Sequence, residues 1–128
     1  DLPEIEELPT TKLIKTDAGN LKEKKKTQTE LREEYAVLVF GLAIFITSNA
    51  FNVSPAIKRI LISGYTQRRN KAGDICDDYI YSLKFYREEF EHRDFSAINP
   101  KEFCLSAENR SNMTATSIFR TIVPFDSI

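Results

Sequence analysis

The stretch Tyr35-Ala-Val-Leu-Val-Phe-Gly-Leu-Ala-Ile-Phe-Ile46 constrains this chain more than any other part of it. Gly41 alone interrupts an otherwise apolar run. A segment apolar on every side must be covered, so the rest of the chain reads first as its cover. The run is also short of the roughly 20 apolar residues that cross a bilayer. The expectation is a buried core helix and no membrane span.

The helix has a clear start. Thr27-Gln-Thr-Glu30 has the spacing of a capping box, in which the threonine hydroxyl accepts from the backbone three residues on. Glu30, Glu33 and Glu34 then lie near the positive end of the helix dipole. Leu31, Tyr35, Leu38, Leu42 and Phe45 recur at spacings of three and four, one apolar face. Ala36, Val39, Ala43 and Ile46 add a second. The spacing predicts a helix over 28–49. Its second face, centred on Val39, Ala43 and Ile46, is more than a small sheet can hide and is the expected partner interface.

Before this helix, residues 1–26 read as a polar arm or linker. Pro3 and Pro9 break it, Thr11–Thr16 has the makings of a short strand, and Asp17–Asn20 has turn composition. The lysines of Leu21–Lys26 read as a solvated tether. The first residue is Asp1 rather than Met, which suggests a longer parent chain.

After the helix, Pro55 stops its continuation. Ile57–Gln67 is rich in β-branched and aromatic residues and predicts a strand. A loop around Gly73 returns the chain into a second strand over 76–86. There Tyr79, Tyr81, Leu83 and Phe85 alternate with Ile80, Ser82, Lys84 and Tyr86, and the first set should face the helix. Residues 87–94 fit a strand extension or a short charged helix burying Phe90. Asn99-Pro-Lys-Glu102 is a helix start, with Asn as cap and Pro in the first position. That helix should reach about Ala107. Residues 108–112 read as a loop and 114–125 as a last strand with Ile118, Ile122 and Val123 inward. Strands do not alternate with crossover helices, so the expected fold is α+β: one long buried helix on a mostly antiparallel sheet of three to four strands, with a short second helix. Residues 27–128 form one domain, and a content of 41% hydrophobic residues supplies a core for it.

The functional signals are local. A net charge of −1 removes any global electrostatic case for a polyanionic partner. Between Ile57 and Ala72, however, Lys58, Arg59, Arg68, Arg69 and Lys71 occur with no acid among them. Basic groups at the tip of a β-ribbon can grip phosphates, so a nucleic-acid contact is one reading. Cross-strand pairing with the acids of 73–95 is the plainer one. Asp74, Asp77 and Asp78 with the later Lys84 resemble the acid-strand-lysine layout of PD-(D/E)XK nucleases, which would hold Mg²⁺ on the carboxylates. Ser82 stands where that pattern has an acid. His92 is the single histidine and reads as a surface residue. No nucleophile elbow, P-loop or dinucleotide fingerprint is present. Cys76 and Cys104 have no zinc or redox spacing and read as free thiols. The expectation is a cytoplasmic, non-enzymatic interaction domain without a cofactor. It would associate with a protein partner or with itself; a nucleic-acid accessory module and a metal-dependent nuclease are the alternatives.

Overall fold

The chain is described by a computed structural model covering residues 1–69, 72–115 and 117–126. It is an α+β fold. Helix α1 (Gln28–Val53) carries two antiparallel sheets and two short helices around it. A separate hairpin, β1 (Thr11–Lys15) and β2 (Leu21–Lys25), precedes α1. The main sheet has the order β3-β4-β5, formed by β3 (Arg59–Arg69), β4 (Ile75–Tyr86) and β5 (Glu108–Ser111). A single turn, α2 (Arg87–Phe90), and helix α3 (Pro100–Ser106) lie between β4 and β5.

Helix α1 starts where its capping residue requires. The Thr27 hydroxyl accepts from the Glu30 amide at 3.1 Å. The helix runs four residues further than 49, because Phe51 still faces the core and the freed carbonyls at its end find a donor. That donor is Arg87. Its guanidinium bonds the carbonyl oxygens of Phe51 at 3.0 Å and Ile57 at 2.6 Å, and also that of Ser54. The core is one cluster built on Tyr35, Ala36, Val39, Phe40, Ala43 and Ile44 against Tyr81, Leu83 and Phe85 of β4. Phe40 stacks on Tyr81 with ring centroids 5.2 Å apart, and the Tyr81 hydroxyl donates to the Val39 carbonyl at 2.9 Å. At the far end Phe85, Phe90, Phe95 and Phe103 form an aromatic cluster; the first part of 87–94 is the short helix α2, which delivers Phe90 inward.

Several elements depart from expectation. The alternation of β4 is broken by a register shift: Gly64 pairs with Tyr81 and Tyr65 with Tyr79. Ile80 is left without a partner across the strand and is fully buried. Gly64 is required at this point. A Cβ there would lie 2.6 Å from Tyr81 Cζ and 2.7 Å from Leu2 Cδ1. The lysine run is not coil but strand β2, fully exposed and paired with β1. Residues 108–111, expected as a loop, are the edge strand β5, in register with Tyr81–Lys84. The described part of 114–125 forms no strand; beyond one bridge between Met113 and Phe119, Ile122 N donates to Tyr79 O and Phe125 N to Ser82 Oγ. The buried residues there are Ser117 and Phe119, each at 5% exposure; of the three expected inward residues Ile122 is half-buried, whereas Ile118 and Val123 are exposed. Cys104 is buried and Cys76 half-buried, both free. Burial pushes the Cys104 thiol up to about 12.

Candidate functional site

The first 8 residues are drawn back over the sheet. Leu2 N donates to Tyr65 O at 2.9 Å, and the Leu2 side chain fills the space that Gly64 leaves. The Tyr35 hydroxyl donates to Pro3 O at 2.8 Å. This brings a one-turn 3-10 helix, Ile5–Glu7, alongside the start of α1 and the end of β3. The segment 117–119 closes the fourth side. It is clamped by Glu33, whose carboxylate accepts from Ser117 Oγ at 2.7 Å and Lys101 Nζ at 2.9 Å. The Ser117 bond, then the Lys101 bond, hold the Glu33 carboxyl below the usual carboxylate range.

Between these walls is a cleft of about 600 Å³. Its floor is Tyr35 and Phe119, which meet edge-to-face at 6.0 Å, with Ile5 and Ile118 beside them. Its charged lining is Arg32 from α1, Arg68 and Arg69 from β3, and Glu4 and Glu6 from the 3-10 turn. Burial raises the Tyr35 hydroxyl to about 12; the charge of Glu4 adds to this and that of Arg68 opposes it. Arg69 spends one donor on the Gly73 carbonyl at 2.9 Å. Arg32 and Arg68 are half-buried, and among the described residues neither side chain forms a hydrogen bond or ion pair.

The five basic positions singled out in the sequence do not form one cluster. Arg59 and Arg69 are the two ends of an 11-residue strand, so about 33 Å separates them at roughly 3.3 Å per residue. Lys58 and Arg59 instead line a hollow with Tyr86, Arg87, Glu88 and Glu91. Lys71 lies outside the described residues. Arg32, which joins Arg68 and Arg69 at the cleft, carries no sequence signal of its own. It belongs to the same helix face as Gln28 and Tyr35, and only the tertiary fold sets it against β3.

The acidic positions are likewise dispersed. The Asp77 carboxylate accepts from Gln67 Nε2 at 3.3 Å, and Asp78 lies beside the Cys76 thiol. Asp74 precedes β4. Lys84 is six residues beyond Asp78, about 20 Å along the strand, and its Nζ is 3.6 Å from Glu108 and 4.3 Å from the centre of the Phe125 ring. Among the described residues no group of three His, Cys, Asp or Glu could hold a metal ion. His92 is exposed, in a turn with φ of 58°.

The long helix presents the second candidate surface. Val39 and Ala43 of the expected partner interface are fully buried in the chain's own core, because their small side chains face the sheet. Ile46 is the exposed member, at 53%. The outward stripe actually runs through Leu38, Leu42, Phe45, Ile46, Asn49 and Val53, with Phe45 64% and Val53 82% exposed. No charged residue interrupts it. By length and composition α1 is apolar enough to cross a membrane, and well under half of its most apolar window is buried here.

Comparisons with protein-family models, with curated proteins and with solved structures find no match to this chain.

Proposed function

We propose that the chain is a non-catalytic association domain, that the outer face of α1 is its docking surface, and that the occupant is a second copy of the same chain. One observation carries this reading: the helix that builds the core also holds Phe45, Ile46 and Val53 in solvent, flanked by Leu38 and Leu42. Fully burying a side chain of this kind contributes roughly 1.5–3 kcal/mol. The stripe bears no charge, so a charged partner gains nothing from it. A partner must offer an equally apolar and uncharged ridge, and a second α1 does. Two-fold pairing of identical faces satisfies both copies at once, at the 8–10 Å spacing usual for packed helices. The face is also rigid, since the opposite side of α1 is locked into the core, and little ordering entropy opposes docking.

Sedimentation analysis from about 1 μM to 1 mM, a range equivalent to roughly 8 to 4 kcal/mol of association, tests this. The expected result is a dimer that the double substitution Phe45→Asp and Ile46→Asp converts to a folded monomer, with unchanged circular dichroism. A wild-type monomer throughout, or a dimer that survives both substitutions, overturns it. Flotation of the wild type with lipid vesicles, abolished by the same substitutions, would give the face to a bilayer instead.

A further inference from the structure

The geometry points to the cleft between the 3-10 turn, α1 and β3 as a binding site for a small phosphorylated molecule. It shares no residue with the outer face of α1 and stands independently of the association reading. Arg32 and Arg68 are half-buried and line this cleft, yet among the described residues neither side chain makes a hydrogen bond or ion pair. Each guanidinium offers five N–H donors in a planar fork. Partial burial removes some of their water, so these are partly desolvated cationic donors with no side-chain acceptor among the described residues. Arg69 stands beside Arg68 on the same strand, anchored by the Gly73 carbonyl.

Two half-buried forks from different elements, with a third beside them, match the chemistry of a tetrahedral phosphoryl group better than that of a carboxylate. A phosphoryl dianion has three equivalent acceptor oxygens and can take a fork from each direction, where a carboxylate is satisfied by one. The volume, about 600 Å³, is that of a small-molecule site. The apolar floor of Tyr35 and Phe119 suits a flat organic body attached to the phosphoryl group. Glu4 and Glu6 line the facing wall. They make the net lining charge only +1, from three arginines and two glutamates. That wall accepts hydroxyl or amino donors of the ligand's body and repels a second run of phosphates. The site therefore selects a monophosphate over an extended polyanion such as duplex DNA.

Titration calorimetry with inorganic phosphate, adenosine monophosphate and a short DNA duplex tests the assignment on the whole chain. The expected outcome is saturable one-site binding of the monophosphate, tighter than that of phosphate alone. The double substitution Arg32→Gln and Arg68→Gln should weaken it at least tenfold, while Arg59→Gln at the other end of β3 leaves it unchanged. Circular dichroism shows whether the double variant folds; if it does not, Arg68→Gln alone is read against Arg59→Gln. Absence of saturable monophosphate binding overturns the proposal. So does binding that Arg32→Gln and Arg68→Gln leave intact, or duplex binding at least as tight as monophosphate binding.

Discussion

Replacing Gly64 with alanine tests the packing on which the N-terminal segment and the core both depend. The added Cβ would lie 2.6 Å from Tyr81 Cζ and 2.7 Å from Tyr81 Cε1. Ordinary carbon contacts lie near 3.5–4.0 Å, so the Tyr81 ring must retreat by ~0.8 Å or more. It has little room to do so. The residue is 1% exposed, its ring stacks on Phe40, and its hydroxyl is tied to the Val39 carbonyl at 2.9 Å. Overpacking of this kind costs about 1–3 kcal/mol. Loss of the hydroxyl bond adds about 0.5–1.5 kcal/mol. The entropy gained on replacing glycine offsets about 0.5–1 kcal/mol. Net destabilisation of about 0.5–4 kcal/mol follows, centred on about 2 kcal/mol, a large share of the 5–15 kcal/mol typical of a domain. Leu2 Cδ1, at 2.7 Å, is the far end of a flexible side chain and can swing away at small cost. Urea unfolding should show the lower midpoint at an unchanged slope. A double-mutant cycle separates the neighbours: Tyr81→Phe should reduce the Gly64→Ala penalty, since the ring can then slide without losing its bond, whereas Leu2→Ala should leave it nearly unchanged. A Gly64→Ala protein within about 0.5 kcal/mol of wild type would refute the ring placement and the reasoning built on it.

Arg87→Met should destabilise the fold by about 2–4 kcal/mol, because charge-assisted bonds to the Phe51 carbonyl in the last turn of α1 and to the Ser54 and Ile57 carbonyls just after it are lost together; hydrogen exchange should report opening concentrated in the last turn of α1. Acid sensitivity is set by the carboxyls held below their ordinary values, Glu33 by Ser117 and Lys101, Glu30 by Lys12, and Asp94 by Ser96. A lowered folded pKa gives stability that is present above the unfolded value and is lost as pH falls through the folded one, so unfolding free energy should decline below about pH 4.5 for the glutamates. Burial raises Glu89, which acts in the opposite sense; the Glu33→Gln variant therefore isolates the effect and should flatten the acid limb relative to wild type.

The parts of the fold legible in the sequence are those decided by neighbours along the chain. Thr27 with Glu30, and Asn99 with Pro100 and Glu102, specify their helix starts through bonds that span three residues, and both form as expected. The β3-β4 hairpin follows from two apolar runs and a glycine-containing turn. What could not be read is decided by competition for one edge. Residues 114–125 have strand composition, but the free side of β4 at Tyr81–Lys84 is already taken by β5. The short segment Glu108–Ser111 has poor strand propensity. It is held by register, by Lys84 against Glu108, and by Asn109 Nδ2 donating to the Leu105 and Ala107 carbonyls. Context here outweighs propensity, as it commonly does in sheets. With that edge occupied, the last segment hydrogen-bonds β4 at Tyr79 and Ser82 and lays Phe125 against Lys84, and its inward aromatic is Phe119 rather than Ile118.

The candidate sites follow the same division. That α1 would have more apolar surface than its own fold could cover is legible from the all-round hydrophobicity of 35–46. Which residues remain outside is not, because the sheet and α3 both approach the side bearing Ala36, Val39, Phe40 and Ala43. Small residues admit the side chains of α3: Cys104 Sγ reaches the Phe40 carbonyl, and Pro100 Cβ sits 3.9 Å from where a Gly41 Cβ would be. On the opposite side Phe45, Ile46 and Val53 are left in solvent. With Ala36, Val39 and Ala43 set among the buried Tyr35, Phe40 and Ile44, the helix packs closely within the chain, and Phe45, Ile46 and Val53 form a ridge beyond it with which a second copy can interleave. The arginine cleft lies near the other end of the same helix, so α1 carries both surfaces on one rigid body. Occupancy of either should leave the other's geometry unchanged.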